Sequence, residues 1–185
     1  MSQFKKVNNA SYTTTISIGA GRLKQLCWYF TNIFFFKNSL NISSGLKVFL
    51  LKLFGARIGK GVVIKPSVNI KYPWKLQVGN NSWIGEEAWI DNLSDVVIGE
   101  SVTLSQAAMI LTGSHDYTKQ TFDFISLPVV LQDGVWIGAK AVVYGGVTCY
   151  SHSVLGINAV AETDLKAYII YKGNPAVPVI SRNIL

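Results

Sequence analysis

The residues best suited to acid–base chemistry in this sequence are its two histidines, His115 and His152. A neutral imidazole can take a proton from a hydroxyl near neutral pH, because the pKa of a free imidazole is about 6.5. His115 stands in the stretch SHDY, directly before residues 116–130, whereas His152 stands in the regular stretch CYSHSV. We therefore predict that His115 is a general base beside a functional loop, and that His152 is an ordinary surface residue.

A histidine base needs a partner for its second ring nitrogen. The repeat described below places Asp95 one coil beneath His115 in the same column, and Asp116 and Asp123 lie in the segment that follows. A backbone carbonyl is an alternative partner that a sequence cannot reveal. No His, Cys, Asp and Glu cluster with the spacing of metal ligands occurs, so we predict no bound metal.

A six-residue repeat over residues 58–166 must position these side chains. A period of six fits neither a single helix nor one long strand, so it predicts a repeat architecture. In each of two series, 13 of 15 positions follow a simple rule: Ile, Leu or Val in the first, and Ser, Ala or Val four residues later in the second. The first series is Ile58, Ile64, Ile70, Val78, Ile84, Ile90, Ile98, Leu104, Ile110, Leu131, Ile137, Val143, Cys149, Leu155 and Ala161.

We interpret each hexad as a short strand plus a corner of an all-β, parallel β-helix, with the aliphatic residue pointing inward. Three hexads make one coil, about 4.8 Å high, and glycines such as Gly79 follow the inward residue, where we expect unusual backbone angles. Residues 116–130 form one long protruding loop, and such loops tend to be functional. The hexads group into five coils: 58–75, 78–95, 98–115, 131–148 and 149–166.

The segments that flank the β-helix, 1–57 and 167–185, are predicted to cover its exposed strand edges. Residues 1–21 are polar and predict an extended arm. Residues 22–54 contain two apolar helical stretches, each shorter than the roughly 20 residues of a membrane-spanning helix. Two interpretations of this segment stay open, a cap on the first coil and peripheral contact with a membrane surface.

The 185 residues predict a single domain with a formal net charge of +7. That charge favours an anionic partner such as a nucleotide cofactor or a membrane surface, with surplus charge for solubility as the alternative. No run of Lys or Arg and no RNA-binding signature is present, so we predict no nucleic-acid partner. Two cysteines, and no apolar stretch after Lys5 and Lys6, predict a cytoplasmic protein.

Five stretches of the chain resemble the hexapeptide-repeat acyltransferases: LLKLFGARIGKGVVIKPSV, YPWKLQVGNNSWIGEEAWIDN, LTGSHDYTKQTFDF, DGVWIGAKAVV and GNPA. Within them the chain is similar to the colanic acid biosynthesis acetyltransferases, relatives of the maltose and galactoside O-acetyltransferases. The resemblance implies a left-handed β-helix, a homotrimer and acetyl-CoA as acetyl donor. It also implies that His115 is the general base, and it places Asp91 and Asn92 at the acceptor site, in competition with Asp95.

The resemblance further implies a groove between subunits that holds the pantetheine arm of the donor. Its predicted lining is Trp136 and the backbone around Ala139, Gly156 and Ile157. The chain departs from the family pattern at three places. Cys149-Tyr150 stands where relatives have Ile-Gly, and a basic residue of the family pattern is missing both at 162–164 and at Val177-Pro178. Lys166, Lys172 and Arg182 are the predicted substitutes that contact the phosphates of the donor.

Together these features predict an acetyl-CoA-dependent O-acetyltransferase that acts on a hydroxyl of a sugar or oligosaccharide. The expected setting is cell-surface or exopolysaccharide biosynthesis, with direct transfer and no acyl-enzyme. One rival is a serine-type or antibiotic-type acetyltransferase of the same superfamily. The other is a non-catalytic β-helix scaffold whose donor site has decayed.

Overall fold

The computed structural model describes residues 5–14 and 16–185, and its main body is a parallel β-helix. Two α-helices precede it, α1 (Arg22–Thr31) and α2 (Ser44–Leu53). Single turns of other helix types occur at Asn9–Ser11, Asn32–Phe36 and Pro73–Lys75. The strands, in chain order, are β1 (Arg57–Ile58), β2 (Val63–Ile64), β3 (Asn69–Ile70), β4 (Leu76–Val78), β5 (Trp83–Ile84), β6 (Trp89–Asp91), β7 (Val96–Ile98), β8 (Thr103–Leu104), β9 (Met109–Leu111), β10 (Gly113–His115), β11 (Phe124–Ser126), β12 (Val129–Leu131), β13 (Trp136–Ile137), β14 (Val142–Tyr144), β15 (Thr148–Cys149), β16 (Val154–Leu155), β17 (Val160–Ala161), β18 (Ile169–Lys172) and β19 (Val177–Ser181).

The β-helix has three faces, each a stack of parallel strands with one strand per coil. Face A holds β1, β4, β7, β12 and β15, face B holds β2, β5, β8, β13, β16 and β18, and face C holds β3, β6, β9, β14 and β17. The chain runs from A to B to C, so the third corner of each coil leads from face C back to face A. The register is constant, with Ile58 paired to Val78 and Val78 to Ile98. The predicted parallel β-helix is confirmed.

The interior of the prism is filled by the residues that the repeat predicted. All fifteen residues of the first series are buried, and twelve of the second series are buried as well. The three exceptions are Trp74, Ser94 and Ser114, and all three lie at the third corner, where the chain makes its excursions. One buried apolar column per face therefore supports the whole stack.

The corners reach their geometry in a different way from the one predicted. The residue three positions after the inward residue adopts a left-handed conformation, with φ near +56° at Asn81, Ser101 and Lys140. The prediction of unusual backbone angles at glycines such as Gly79 is wrong. A Cβ atom on Gly79 would lie 2.5 Å from the carbonyl carbon of Gly99, so glycine is needed there for the close approach of successive coils.

The two N-terminal helices cover the first coil. Lys47 of α2 is fully buried, and its amine donates hydrogen bonds to the carbonyl oxygens of Ile64 and Lys65 at 3.4 and 2.9 Å. Trp28 of α1 is also buried, and its indole N–H donates to the carbonyl of Ile70 at 2.9 Å. These donors satisfy carbonyl groups at the lower edges of faces B and C, which would otherwise stay open.

At the other end the ladder continues for part of a sixth coil. Leu165 bridges to Cys149, and β18 pairs in parallel with β16. The chain then turns back, and β19 pairs antiparallel with β18. The C-terminal segment therefore covers the upper edge of face B.

Candidate active site

His115 lies on a hairpin that leaves the third corner of the third coil. Strands β10 and β11 form this hairpin, with His115 opposite Phe124. Gly113 lets the hairpin lie close to the coil beneath, because a Cβ atom there would be 2.7 Å from Cδ1 of Leu93 and 2.8 Å from the ring of Phe124. The local sequence therefore presents His115 outside the prism without disturbing the core.

A single hydrogen bond sets the tautomer of this histidine. Nδ1 of His115 lies 2.9 Å from the carbonyl oxygen of Phe122. Because a carbonyl oxygen only accepts hydrogen bonds, Nδ1 carries the hydrogen, and in the neutral ring Nε2 has the free lone pair. The ring of Phe122 stacks on the imidazole at 4.3 Å, and Phe124 meets it edge-on at 5.1 Å. The basic nitrogen is thus held in one orientation.

Polar contacts within the loop support this arrangement. Asp116 accepts hydrogen bonds from the hydroxyl and the backbone N–H of Thr118, and these bonds lower the pKa of the Asp116 carboxyl. Asp123 lies 3.1 Å from the amine of Lys119, and this hydrogen bond raises the pKa of Lys119. The two loop carboxylates are therefore bound within the loop itself.

The N-terminal arm also contacts the loop, and no sequence pattern indicated this. The N–H of Asn8 donates to the carbonyl of Gln120 at 2.9 Å. The ring of Tyr12 lies 5.9 Å from the ring of His115, tilted by 51°. Residues 1–4 and 15 of the predicted arm lie outside the described residues. Tyr12 stands beside the imidazole and is 39% exposed, so it can also contact a bound molecule.

The three acidic or amide residues considered as partners of the imidazole have other contacts. Oδ1 of Asp91 lies 2.8 Å from the amine of Lys71. Asn92 is fully buried and binds the N–H and the carbonyl of Tyr72 at 2.9 and 2.6 Å, which fixes the corner of the coil. Asp95 is exposed. Within residues 5–14 and 16–185 none of the three hydrogen bonds to the imidazole, and the catalytic roles of Asp91 and Asn92 stay predictions.

Asp91 lines a cavity of about 520 Å³ between α1 and face C. The cavity is also lined by Trp89 and by the cationic side chains of Arg22, Lys37 and Lys71. Aromatic and charged groups in one recess suit a polar ligand that has an apolar ring face, such as a saccharide. This recess lies on face C, next to the corner that carries the hairpin.

A second cavity, of about 590 Å³, lies on face B and is the place where the predicted donor residues meet. Five of the seven predicted donor residues line it: Trp136, Gly156, Ile157, Lys172 and Arg182. Ala139 follows the lining residue Gly138, and its carbonyl accepts a hydrogen bond from the N–H of Asn158, whereas Lys166 is exposed and does not line the cavity. The volume lies within the usual range for cavities that bind small molecules.

Two side chains of this cavity are held in fixed positions. The indole N–H of Trp136 donates to Oγ of Ser105 at 2.9 Å. The guanidinium of Arg182 donates to the carbonyls of Gly134 and His152 at 2.9 and 3.1 Å, which ties the C-terminal segment to the first corner. Part of the hydrogen-bonding capacity of Arg182 is therefore already in use, whereas Lys172 is exposed at the cavity.

His152 differs from the predicted ordinary surface residue. Its ring is partly buried and stacks in parallel on Tyr168 at 4.8 Å. Its φ of +60° places it in the left-handed position of the first corner. It therefore has a structural role, which leaves His115 as the histidine available for chemistry.

The imidazole and the face B cavity lie on different sides of one chain. The hairpin of His115 leaves the corner between faces C and A, whereas Trp136 and Gly156 lie on face B. In a triangular prism this corner is opposite face B. A single chain therefore cannot bring the imidazole to a molecule bound in that cavity.

The remaining reactive groups offer no alternative centre. Within the part of the chain that the structure describes, no group of three or more His, Cys, Asp or Glu residues could hold a metal ion. Cys149 is buried, and burial raises the pKa of its thiol. Cys27 is exposed on α1 and is not among the residues that line either cavity. The site is thus an imidazole and two cavities.

The stacked hexads, the protruding hairpin and the groove on face B define a β-helix of the hexapeptide-repeat class. No family model matches the chain. It is 36% identical over 164 residues to WcaF of Escherichia coli (strain K12), to which colanic acid biosynthesis acetyltransferase activity is ascribed, covering 89% of this chain and 90% of WcaF. It is 26% identical over 129 residues to galactoside O-acetyltransferase of that organism, covering 68% and 64%. The chain belongs to the WcaF family of hexapeptide-repeat acetyltransferases.

The fold is shared with solved structures. The hexapeptide-repeat acetyltransferase VCA0836 of Vibrio cholerae superposes with a TM-score of 0.79 at 20% identity, covering 90% of this chain and 96% of that one. A second structure of VCA0836, in complex with acetyl coenzyme A, gives a TM-score of 0.72 at 23% identity, covering 79% and 81%. The left-handed β-helix predicted from the resemblance is confirmed by this likeness.

Proposed function

We propose that the protein transfers acetyl from acetyl-CoA to a hydroxyl group of a sugar during cell-surface polysaccharide biosynthesis, with His115 as general base. The observation that carries the proposal is the hydrogen bond from Nδ1 of His115 to the carbonyl of Phe122. In the neutral ring this bond leaves Nε2 with the free lone pair that a general base requires. The relatives named for colanic acid biosynthesis and for galactoside O-acetylation support a sugar acceptor.

The reaction is a direct transfer. The hydroxyl oxygen of the acceptor attacks the thioester carbonyl carbon while Nε2 of His115 takes the hydroxyl proton. The tetrahedral oxyanion then collapses, the carbon–sulfur bond breaks, and the protonated imidazole returns its proton to the coenzyme A thiolate. No covalent intermediate with the protein forms.

The face B cavity is the proposed donor site. Its size and its apolar lining suit the pantetheine arm, with Trp136 and Ile157 along it and Lys172 and Arg182 near the anionic end. The acetyl-CoA complex of VCA0836 supports this choice of donor. A site that uses acetyl-CoA also favours a cytoplasmic location.

A homotrimer resolves the separation of the two halves of the site. In a cyclic trimer with its axis along the prism, the hairpin corner of one subunit can face the face B cavity of the next. Each active site would then take His115 from one subunit and Trp136 from its neighbour. Asp91, in the recess beside the hairpin corner, is proposed as an acceptor-side residue, and Asn92 supports it by fixing the corner.

Mixing two inactive variants tests the shared site. We expect His115→Ala and Ile157→Glu to be inactive alone, because one lacks the base and the other places a carboxylate in the donor cavity. Subunits exchanged at equal ratio should recover about a quarter of the parental activity, since that fraction of interfaces combines an intact base with an intact cavity. No recovery in mixed trimers, or a monomer by light scattering, would refute the shared site.

The release of coenzyme A thiol in the presence of a panel of acceptors tests the proposed reaction. We expect release that depends on a saccharide acceptor and not on serine or chloramphenicol. Release with the small-molecule acceptors alone would favour the rival enzyme class. Absence of both thiol release and acetyl-CoA binding would favour a non-catalytic scaffold.

A further inference from the structure

The outer side of the N-terminal helical segment is an apolar surface that the fold leaves uncovered. We call it the cap face and define it by Phe30, Phe34, Leu40, Ile42, Phe49 and Leu53, whose side chains are 49% to 87% exposed. The rings of Phe30 and Phe34 stack on each other at 6.5 Å. A group of exposed apolar side chains of this kind marks an interaction site.

The cap face is not needed to close the β-helix. Closure is performed by the opposite side of the same segment, where Trp28, Phe36, Lys47 and Leu51 are buried against the first coil. The two interpretations of residues 22–54 therefore concern two different sides of the segment. The inner side is a cap, and the outer side needs a partner of its own.

The charge around the cap face has one sign. Residues 1–85 contain twelve Lys and Arg residues and no Asp or Glu, and the first acidic residue is Glu86. Residues 86–185 contain five Lys and Arg residues and ten acidic ones. Arg22, Lys24, Lys37 and Lys52 are exposed on or beside the two helices. The cationic end of the molecule therefore coincides with its apolar end.

We propose that the cap face docks on the surface of an anionic lipid bilayer. Two contributions hold a peripheral helix on such a surface. Apolar side chains enter the boundary between lipid headgroups and acyl chains, and cationic side chains pair with anionic headgroups. The structure contains no described helix that is long and apolar enough to cross a membrane. With ten residues each, α1 and α2 are about 15 Å long, so they lie in the interface rather than across it.

A second copy of the chain fits the cap face less well. A symmetric contact would bring Lys37 and Lys52 of both copies together, and no acidic residue before Glu86 is available to pair with them. In the proposed trimer, a protein partner would also have to cover three such faces, which a cyclic trimer presents on the same side. A planar anionic surface meets all of them at once. The proposal does not depend on the acetyl-transfer reaction.

Co-sedimentation of the full chain with phosphatidylcholine vesicles, with and without phosphatidylglycerol, tests this docking. We expect binding to the anionic vesicles that weakens as NaCl is raised. The variant Phe34→Ser/Phe49→Ser/Leu53→Ser should partition at least about 10-fold more weakly, because three exposed side chains that enter the interface are lost. The variant Lys37→Glu/Lys52→Glu should lose about 10-fold on anionic vesicles only.

The matched control is Val179→Ser/Ile180→Ser, which removes exposed aliphatic side chains from β19 at the other end of the prism. This control should partition like the parent. Thermal melts of all variants check folding, and the charge variant keeps the test valid if the serine variant does not fold. The proposal is overturned if the parent does not bind anionic vesicles, or if both cap-face variants bind like the parent. It is also overturned if the serine variant changes only the oligomeric state, which would identify a second copy as the occupant.

Discussion

Replacement of His115 by Asn separates the chemistry of this residue from its structural role. An asparagine amide can still donate a hydrogen bond toward the carbonyl of Phe122, but it has no basic nitrogen to take a proton. General base catalysis contributes about 10²–10⁴-fold to a rate. We therefore expect kcat to fall by about that factor while acetyl-CoA binding changes little, because the proposed donor cavity is on face B.

The structure also bounds the effect on stability. His115 makes one hydrogen bond to Phe122 and ring contacts with Phe122 and Phe124, worth about 0.5–1.5 kcal/mol each. It fills none of the inward positions of the prism. The loss is therefore at most a few kcal/mol and concerns the hairpin, whereas the stacked coils keep their core.

The assay is kcat with a confirmed acceptor, together with a thermal melt and an acetyl-CoA titration. The control is His152→Asn, which makes the same chemical change at a corner where φ is +60°, a conformation that asparagine tolerates. It should leave kcat within a few-fold of the parent. The reasoning is refuted if His115→Asn keeps kcat within tenfold of the parent, or if both histidine variants lose activity equally.

Three further outcomes are expected. Tyr12→Ala should raise the KM for the acceptor by roughly 2- to 13-fold and leave the KM for acetyl-CoA unchanged, because we propose that the exposed ring beside the imidazole stacks on the bound acceptor; equal changes in both KM values would contradict this placement. Alkylation of the native protein should modify Cys27 and spare Cys149, because burial raises the pKa of the latter thiol; two reactive thiols in the folded state would contradict the buried position. Burial lowers the pKa of Lys47 below its ordinary value of 10.5, so the folded chain loses this proton first and unfolding takes one up. The free energy of unfolding of the parent relative to Lys47→Met should therefore rise as pH increases toward 10.5, and a pH-independent difference in denaturant titrations would contradict it.

The ladder could be predicted from the sequence because its rule is local. Each inward residue, such as Ile84 or Ile137, packs within its own column, so a period of six in the sequence directly describes the core. The prediction of unusual backbone angles at glycines such as Gly79 failed because the requirement for glycine there is not local. The close contact of Gly79 with Gly99 joins residues twenty positions apart, and no local pattern shows it.

The site was predictable only in part. The place of His115 beside the loop follows from its position in the repeat, whereas the lining of the face B cavity was indicated only by the family resemblance. The partner of the imidazole is a backbone carbonyl at Phe122, and a carbonyl is present at every position of a sequence. The contact with Tyr12 depends on the path of an arm that has no repeat, so only the folded chain reveals it. Phe122 and Phe124 flank the polar residue Asp123, and this alternation was the one sequence pattern that indicated the rings in contact with the imidazole.

The regular stacking of the coils also makes the prism a spacer of fixed length. With the cap face on a bilayer, the hairpin of His115 stands two coil spacings above the first coil, about 10 Å, with the helices adding about another 10 Å. If the cap face docks as proposed, His115 would stand about 20 Å above the lipid. Which unit of a lipid-attached chain is modified would be selected by this height, and adding or removing one coil of hexads would move the choice by about 4.8 Å.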